Sequence, residues 1–219
     1  MNRLFAGAQD PVSCETHALG AAASFAGGFL FLVRALYHGS NLLALAAAMC
    51  FSLSLMALYS ASAIYHYYPG TAETGGVKRI LRKMDHSMIY VLIAGSYTPF
   101  SLVLLPQPDG IRFCAALWIF AVAGILLKLL WLNAPRILST SIYLLMGWAV
   151  VFVARDFLTV GQPCMTLVAL GGACYSVGAV FYAVKKPNIS AEWTFHEIFH
   201  LLILAGSLFH YLAVFFYVL

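Results

Sequence analysis

Charge is what this sequence is shortest of. Only 9% of its 219 residues are Asp, Glu, Lys or Arg, against about 25% in a soluble domain, so a fully water-facing surface cannot be built from them. Cysteine is sparse and unpatterned. Cys14, Cys50, Cys114, Cys164 and Cys174 are odd in number and show no CxxC spacing. Most fall in or beside apolar runs, where a small buried thiol is expected, and no disulfide is assigned; Cys14 stands just before the first expected helix. Low-complexity segments are missing, and no connection between apolar runs is long enough for a soluble domain. The net charge of +4 is small and its basic residues sit in short loops between apolar runs, so no nucleic-acid partner is expected.

Apolar sequence is plentiful. Hydrophobic residues make up 63% of the chain and the mean hydropathy is +0.89. Runs of roughly 20 apolar residues, the length that spans a bilayer as a helix, recur at 17–36, 42–67, 84–105, 112–132, 137–157, 164–184 and 195–218. These runs are about twice as long as a barrel strand and do not alternate, which excludes a β-barrel. The expected fold is an all-α membrane protein of seven transmembrane helices, one domain over residues 1–219, multi-pass in the cell (inner) membrane. The first run lacks a small-residue cleavage site after it and reads as a retained helix rather than a signal peptide. Orientation follows from Lys and Arg, which favour the cytoplasmic side. Arg3, Lys78, Arg79, Arg82, Lys83, Lys128, Arg136, Lys185 and Lys186 fall on the side of the N-terminus; Arg34, Arg112 and Arg155 fall opposite. The N-terminus is therefore expected inside and, after seven spans, the C-terminus outside.

Ionisable groups within spans are costly and mark functional sites. Here they gather at one depth, on the inner side. His66 ends the second span, Asp85 and His86 open the third, and His196 and His200 lie in the first turns of the seventh; Glu15 and His17 precede or open the first. His196 and His200 are four residues apart, so both imidazoles stand on one helix face about 6 Å apart along the axis. Two such imidazoles with a third from another helix make the three-ligand set of a catalytic zinc site, with a fourth position for water. His66 is the favoured third ligand; His86 and His17 are the other imidazoles near that depth. His210 lies about 15 Å beyond His200, too deep to share the ion, and reads as a buried histidine bonded to a neighbouring helix. Ser62 is one turn before His66 on the same face; it can bond its own backbone or reach the site. Glu197 points about 100° away from His196 and reads as interfacial or as an ion-pair partner. Tyr97, Thr98 and Pro99 read as a kink in the third span. Most Tyr, Trp and Phe residues are expected to face lipid or the interface.

At these residues the chain resembles the hemolysin III family, the bacterial branch of the progestin and adipoQ receptor (PAQR) family. The matching segments are SAIYH (Ser62–His66), DHSMIYVLIAGSYTPF (Asp85–Phe100) and HEIFHLLILAGSLFH (His196–His210). The resemblance extends over nearly the whole chain and implies seven helices with the N-terminus inside. It implies Zn2+ held by His66, His196 and His200, with Asp85 associated with the water on the ion and Ser62 close by. The family often carries acidic and asparagine residues ahead of a histidine at the start of helix one; here SCETH supplies Glu15 and His17 without that fuller pattern. Through ceramidase-like relatives, the resemblance implies a zinc-dependent membrane hydrolase of a lipid amide or ester, with Asp85 and Ser62 as catalytic residues and membrane lipids as partners. Two alternatives are a membrane regulator or receptor with a structural zinc site, and the cytolysin that the family name suggests. A cytolysin is physically less attractive, because so apolar a chain has no soluble form to secrete.

Overall fold

The computed structural model describes residues 4–71 and 76–219. Seven helices in it are long and apolar enough to cross a membrane, and no strand occurs among the described residues. They are α1 (Pro11–His38), α2 (Leu42–Tyr67), α3 (Gly76–Pro99), α4 (Asp109–Leu130), α5 (Arg136–Gly147), α6 (Gln162–Val184) and α7 (Phe195–Tyr217). α3 continues through a π turn at Phe100–Leu104, and α5 through a 3-10 stretch at Trp148–Val153 and a last α turn at Ala154–Phe157. Large apolar side chains such as Phe25, Leu36, Phe120 and Phe152 point outward and exposed, as lipid-facing positions require. Aromatics such as Phe29, Tyr37, Trp148 and Phe216 are exposed as well, whereas Tyr59, Tyr90, Phe31, Phe51 and Phe157 are fully buried and fill the interior of the bundle.

Two helices start earlier than their apolar runs. α1 opens at Pro11 rather than residue 17, with proline in its first turn and Asp10 before it, a favoured helix start. Cys14, Glu15 and His17 therefore lie within α1, and Glu15 accepts a hydrogen bond from the backbone N–H of Phe5. α3 opens at Gly76 rather than residue 84. Its basic run is helical because Val77, Ile80, Leu81 and Met84 recur at helical spacing between the cations. Asp85 and His86 thus lie more than two turns inside α3 instead of opening it. Lys78 makes this extension useful: its Nζ donates to the carbonyls of Tyr65 and Tyr68, covering the last turn of α2.

The expected kink in α3 has a specific form. Pro99 has no N–H to give the carbonyl of Gly95, the Thr98 hydroxyl donates to Ala94 O at 2.9 Å, and the helix widens into the π turn that follows. The break in α5 is held from α3. Tyr97 Oη donates to the carbonyl of Gly147 and accepts from the Val150 N–H at 3.0 Å, so one phenol satisfies the backbone groups that the break frees. α6 and α7 approach closely through glycine: a Cβ on Gly206 would stand 2.5 Å from Tyr175 Cε1 and 3.0 Å from the carbonyl of Gly171.

Candidate metal centre

The site forms where the end of α2 meets the starts of α1 and α7. The backbone N–H of Asp10 donates to the carbonyl of His66 at 3.0 Å, pinning the start of α1 to the end of α2. The start of α7 is a capping box. Thr194 Oγ1 accepts from the His196 N–H, and Glu197 Oε2 accepts from the Thr194 N–H at 2.9 Å, satisfying first-turn donors. The other oxygen, Oε1, accepts from Ser13 Oγ at 2.8 Å, tying α7 to α1. Glu197 is therefore a cap and a helix tie, and has no ion-pair partner among the described residues. The TFHE spacing of Thr194–Glu197 carried that signal in the sequence.

These ties bring His66, His196 and His200 together: one ring nitrogen of each lies within 4.8 Å of the others. His66 and His200 are buried. His66 Nε2 and His196 Nε2 face each other at 3.2 Å. Two nitrogens bound to one tetrahedral zinc at about 2.0–2.1 Å stand about 3.3 Å apart, so the pair is already at chelating distance. The unused edges of two of the rings, His66 and His200, are held as metal ligands require. His66 Nδ1 meets Asp10 Oδ2 at 2.9 Å, which places its proton on Nδ1 and leaves Nε2 as the donor. His200 Nδ1 lies 3.5 Å from Thr16 Oγ1, whose own proton goes to the Ser13 carbonyl at 3.1 Å. Hydrogen bonding from His66 holds the Asp10 carboxyl below its ordinary pKa despite partial burial. The donor set fits a divalent ion such as zinc.

Asp10 and Thr16 were not legible as part of the site. Asp10 precedes the proline that opens α1, yet its side chain makes no cap bond; it is turned to His66 instead.

The remaining candidates fall into place around the triad. Asp85 is mostly buried, and its Oδ2 takes the His86 Nδ1 contact at 3.0 Å. Ser62 is buried and lines the same cavity as Asp85. His86 is spoken for by Asp85 and is not part of the triad. His17 stacks face to face on His200, with ring centroids 3.6 Å apart and planes within 6°. It is buried and neither of its ring nitrogens has a protein partner. His210 lies apart from the ion site, against the Tyr175 ring at 5.2 Å, and its Nδ1 has no partner.

His17, Ser62, Asp85, His196 and His200 line one end of a cavity of 410 Å³ that continues past Tyr97 to Phe157 and His210. That volume falls in the range of small-molecule sites, roughly 300–1,000 Å³. All five cysteines are free.

The arrangement has counterparts in known proteins. The family described as haemolysin-III related matches residues 5–211. This chain belongs to that family. It is 33% identical over 205 residues to Hemolysin-3 of Bacillus cereus, covering 93% of this chain and 89% of that one. The Hemolysin-3 homolog of Bacillus subtilis (strain 168) is also 33% identical, over 203 residues, with 92% and 91% covered. More distant relatives are eukaryotic members of the PAQR group. Human monocyte to macrophage differentiation factor is 24% identical over 168 residues, covering 76% of this chain and 68% of the relative. With seven apolar helices and this family membership, the haemolysin-III-related chain is a multi-pass membrane protein, and its bacterial relatives imply the cell membrane.

Proposed function

We propose that the protein is a zinc-dependent hydrolase of a lipid amide or ester, working at the cytoplasmic leaflet with its N-terminus inside. The orientation rests on the basic residues: Lys78, Arg79, Arg82, Lys83, Lys128, Arg136, Lys185 and Lys186 all belong to the end of the bundle that carries the triad. The observation that carries the reading is the sharing of one cavity by His196, His200, Asp85 and Ser62. A purely structural metal site has no need of a carboxylate facing open space beside it.

His66, His196 and His200 would hold the ion. When bound, zinc supplies Lewis acidity, polarising a carbonyl and acidifying water. The chain's own groups supply the rest. Asp85 takes the proton from the attacking water and returns it to the departing amine or alkoxide as the carbonyl–heteroatom bond breaks. His86 Nδ1 aims the Asp85 carboxylate, and the Ser62 hydroxyl, on the same cavity, orients the water or stabilises the developing oxyanion. The apolar remainder of the cavity holds a hydrocarbon chain away from water.

The test is turnover of ceramide-like and phospholipid substrates by purified protein. His196→Ala should lose zinc and activity together, and Asp85→Asn should lose activity while retaining zinc. Equal rates for wild type and both variants would sink the enzyme reading. One observation favours a second reading: the triad and its partners join α1, α2 and α7, as a structural clasp would. In that case chelation lowers the unfolding temperature and there is no turnover to lose.

A further inference from the structure

The cavity has a second polar end-group that the hydrolase reading does not use. Arg82 of α3, Lys128 of α4 and Arg136 of α5 all line it, together with Ser139 and Thr140. Arg82 is three residues before Asp85, so its Cα stands about 4.5 Å, less than one turn, nearer the start of α3.

Lys128 is the informative member. A lysine at the end of a membrane helix ordinarily snorkels to the surface. Lys83 shows that behaviour, reaching the carbonyl of Leu129 with its Nζ. Lys128, in contrast, is 1% exposed and donates to Ser139 Oγ. It lies near enough to Arg82 to feel its like charge. Arg136 donates to the Tyr182 carbonyl at 3.2 Å and lies over the Tyr182 ring, using only part of its five-donor fork. Among the described residues none of the three has a carboxylate within ion-pair distance. Asp85, the acidic group on the same cavity, is engaged by His86 at 3.0 Å. Independently, the Thr140 hydroxyl is 3% exposed, lines the same space and has no partner.

A buried ammonium without a counter-charge is costly, and a buried hydroxyl without a partner adds to that cost. One ligand relieves both. We infer that this end of the cavity binds an anion, so that the ligand is an amphiphile with a carboxylate or phosphate head among Arg82, Lys128, Arg136 and Thr140. Its chain runs into the apolar part of the cavity. As a statement of substrate class this rests on the hydrolase reading; as a binding site it does not.

The test compares dodecyl phosphate, laurate, dodecanol and inorganic phosphate as ligands of the purified, metal-loaded protein in a non-ionic detergent, read by thermal shift and tryptophan fluorescence. The two anionic amphiphiles should bind more tightly than dodecanol. Lys128→Met should weaken them by about tenfold to a hundredfold, the loss expected for a hydrogen bond to a charged group, with dodecanol unchanged. Thr140→Val should weaken them less, and Lys83→Met should have no effect. Inorganic phosphate separates the sources: competition by it assigns the site to a free anion, and its failure to compete assigns it to a lipid head. Equal binding of dodecanol and the anions, or unchanged anion binding in both Lys128→Met and Thr140→Val, would overturn the inference. If Lys128→Met does not fold, Thr140→Val alone decides. None of these ligands carries an amide or carboxylic ester, so the hydrolase reading can fail without touching this result.

Discussion

Asp10 offers the sharpest test of the metal centre, because it touches the site through one bond and would not itself bind the ion. Its Oδ2 lies 2.9 Å from His66 Nδ1, and His66 contributes its other nitrogen to the triad. Replacing it by alanine leaves all three imidazoles in place but frees the His66 ring to turn and to change tautomer. Removing such a partner ordinarily costs about 10–100-fold in metal affinity. The Asp10 side chain is 43% exposed, so water replaces part of what it supplies and screens its charge. The expected loss is therefore near tenfold, which corresponds to about 1.4 kcal/mol. Competition for zinc against a chromogenic chelator would measure it, and Asp10→Asn, which keeps an acceptor without the charge, should lose less. The pH dependence has a definite sign. The Asp10 carboxyl is held below its ordinary value, chiefly by the hydrogen bond from His66. Its contribution is present above the unfolded carboxyl's pKa, near 4, and is lost only as pH falls through the lower folded value. Between pH 6 and 8 the wild-type to Asp10→Ala affinity ratio should thus stay constant. If Asp10→Ala binds zinc as tightly as wild type while melting at a lower temperature, the bond merely fastens α1 to α2 and the reasoning fails.

Other expectations are independent of that one. His66→Ala, His196→Ala and His200→Ala should each leave the purified protein with well under one zinc per chain by elemental analysis, whereas His86→Ala should not. Tyr97→Phe removes the hydroxyl between Gly147 O and Val150 N; it should cost about 1–3 kcal/mol, the penalty for leaving backbone groups of a membrane span unpaired, read by thermal unfolding in detergent. Gly206→Ala sets a Cβ 2.5 Å from Tyr175 and 3.0 Å from the Gly171 carbonyl. The backbone cannot yield as a side chain can, so overpacking of about 1–3 kcal/mol should lower the unfolding temperature and leave zinc content intact.

Spanning a membrane is a local property. A run of some 20 apolar residues with few charges crosses whatever its neighbours do, so seven helices and their order were legible from composition and run length alone. The spacing of His196 and His200 was legible for the same reason, since helical periodicity converts four residues into one face. Where amphipathic sequence replaced apolar sequence, the run-length criterion stopped too soon. Val77, Ile80, Leu81 and Met84 carry α3 two turns further than hydropathy does, and Pro11 starts α1 before its apolar run begins. Which groups meet is a different kind of question. Asp10 reaches His66 across 56 positions, and Ser13 reaches Glu197 across 184. His17 lies flat on His200 rather than joining the triad, and Lys128 turns into the cavity where Lys83 turns out. Each depends on the rotation of one helix about its axis and on what its neighbours leave open, and side-chain packing between distant segments sets both. The residue types of a candidate metal site were written along the chain; the carboxylate that orients His66, and the cavity that His196 and His200 line, exist only once the helices are packed.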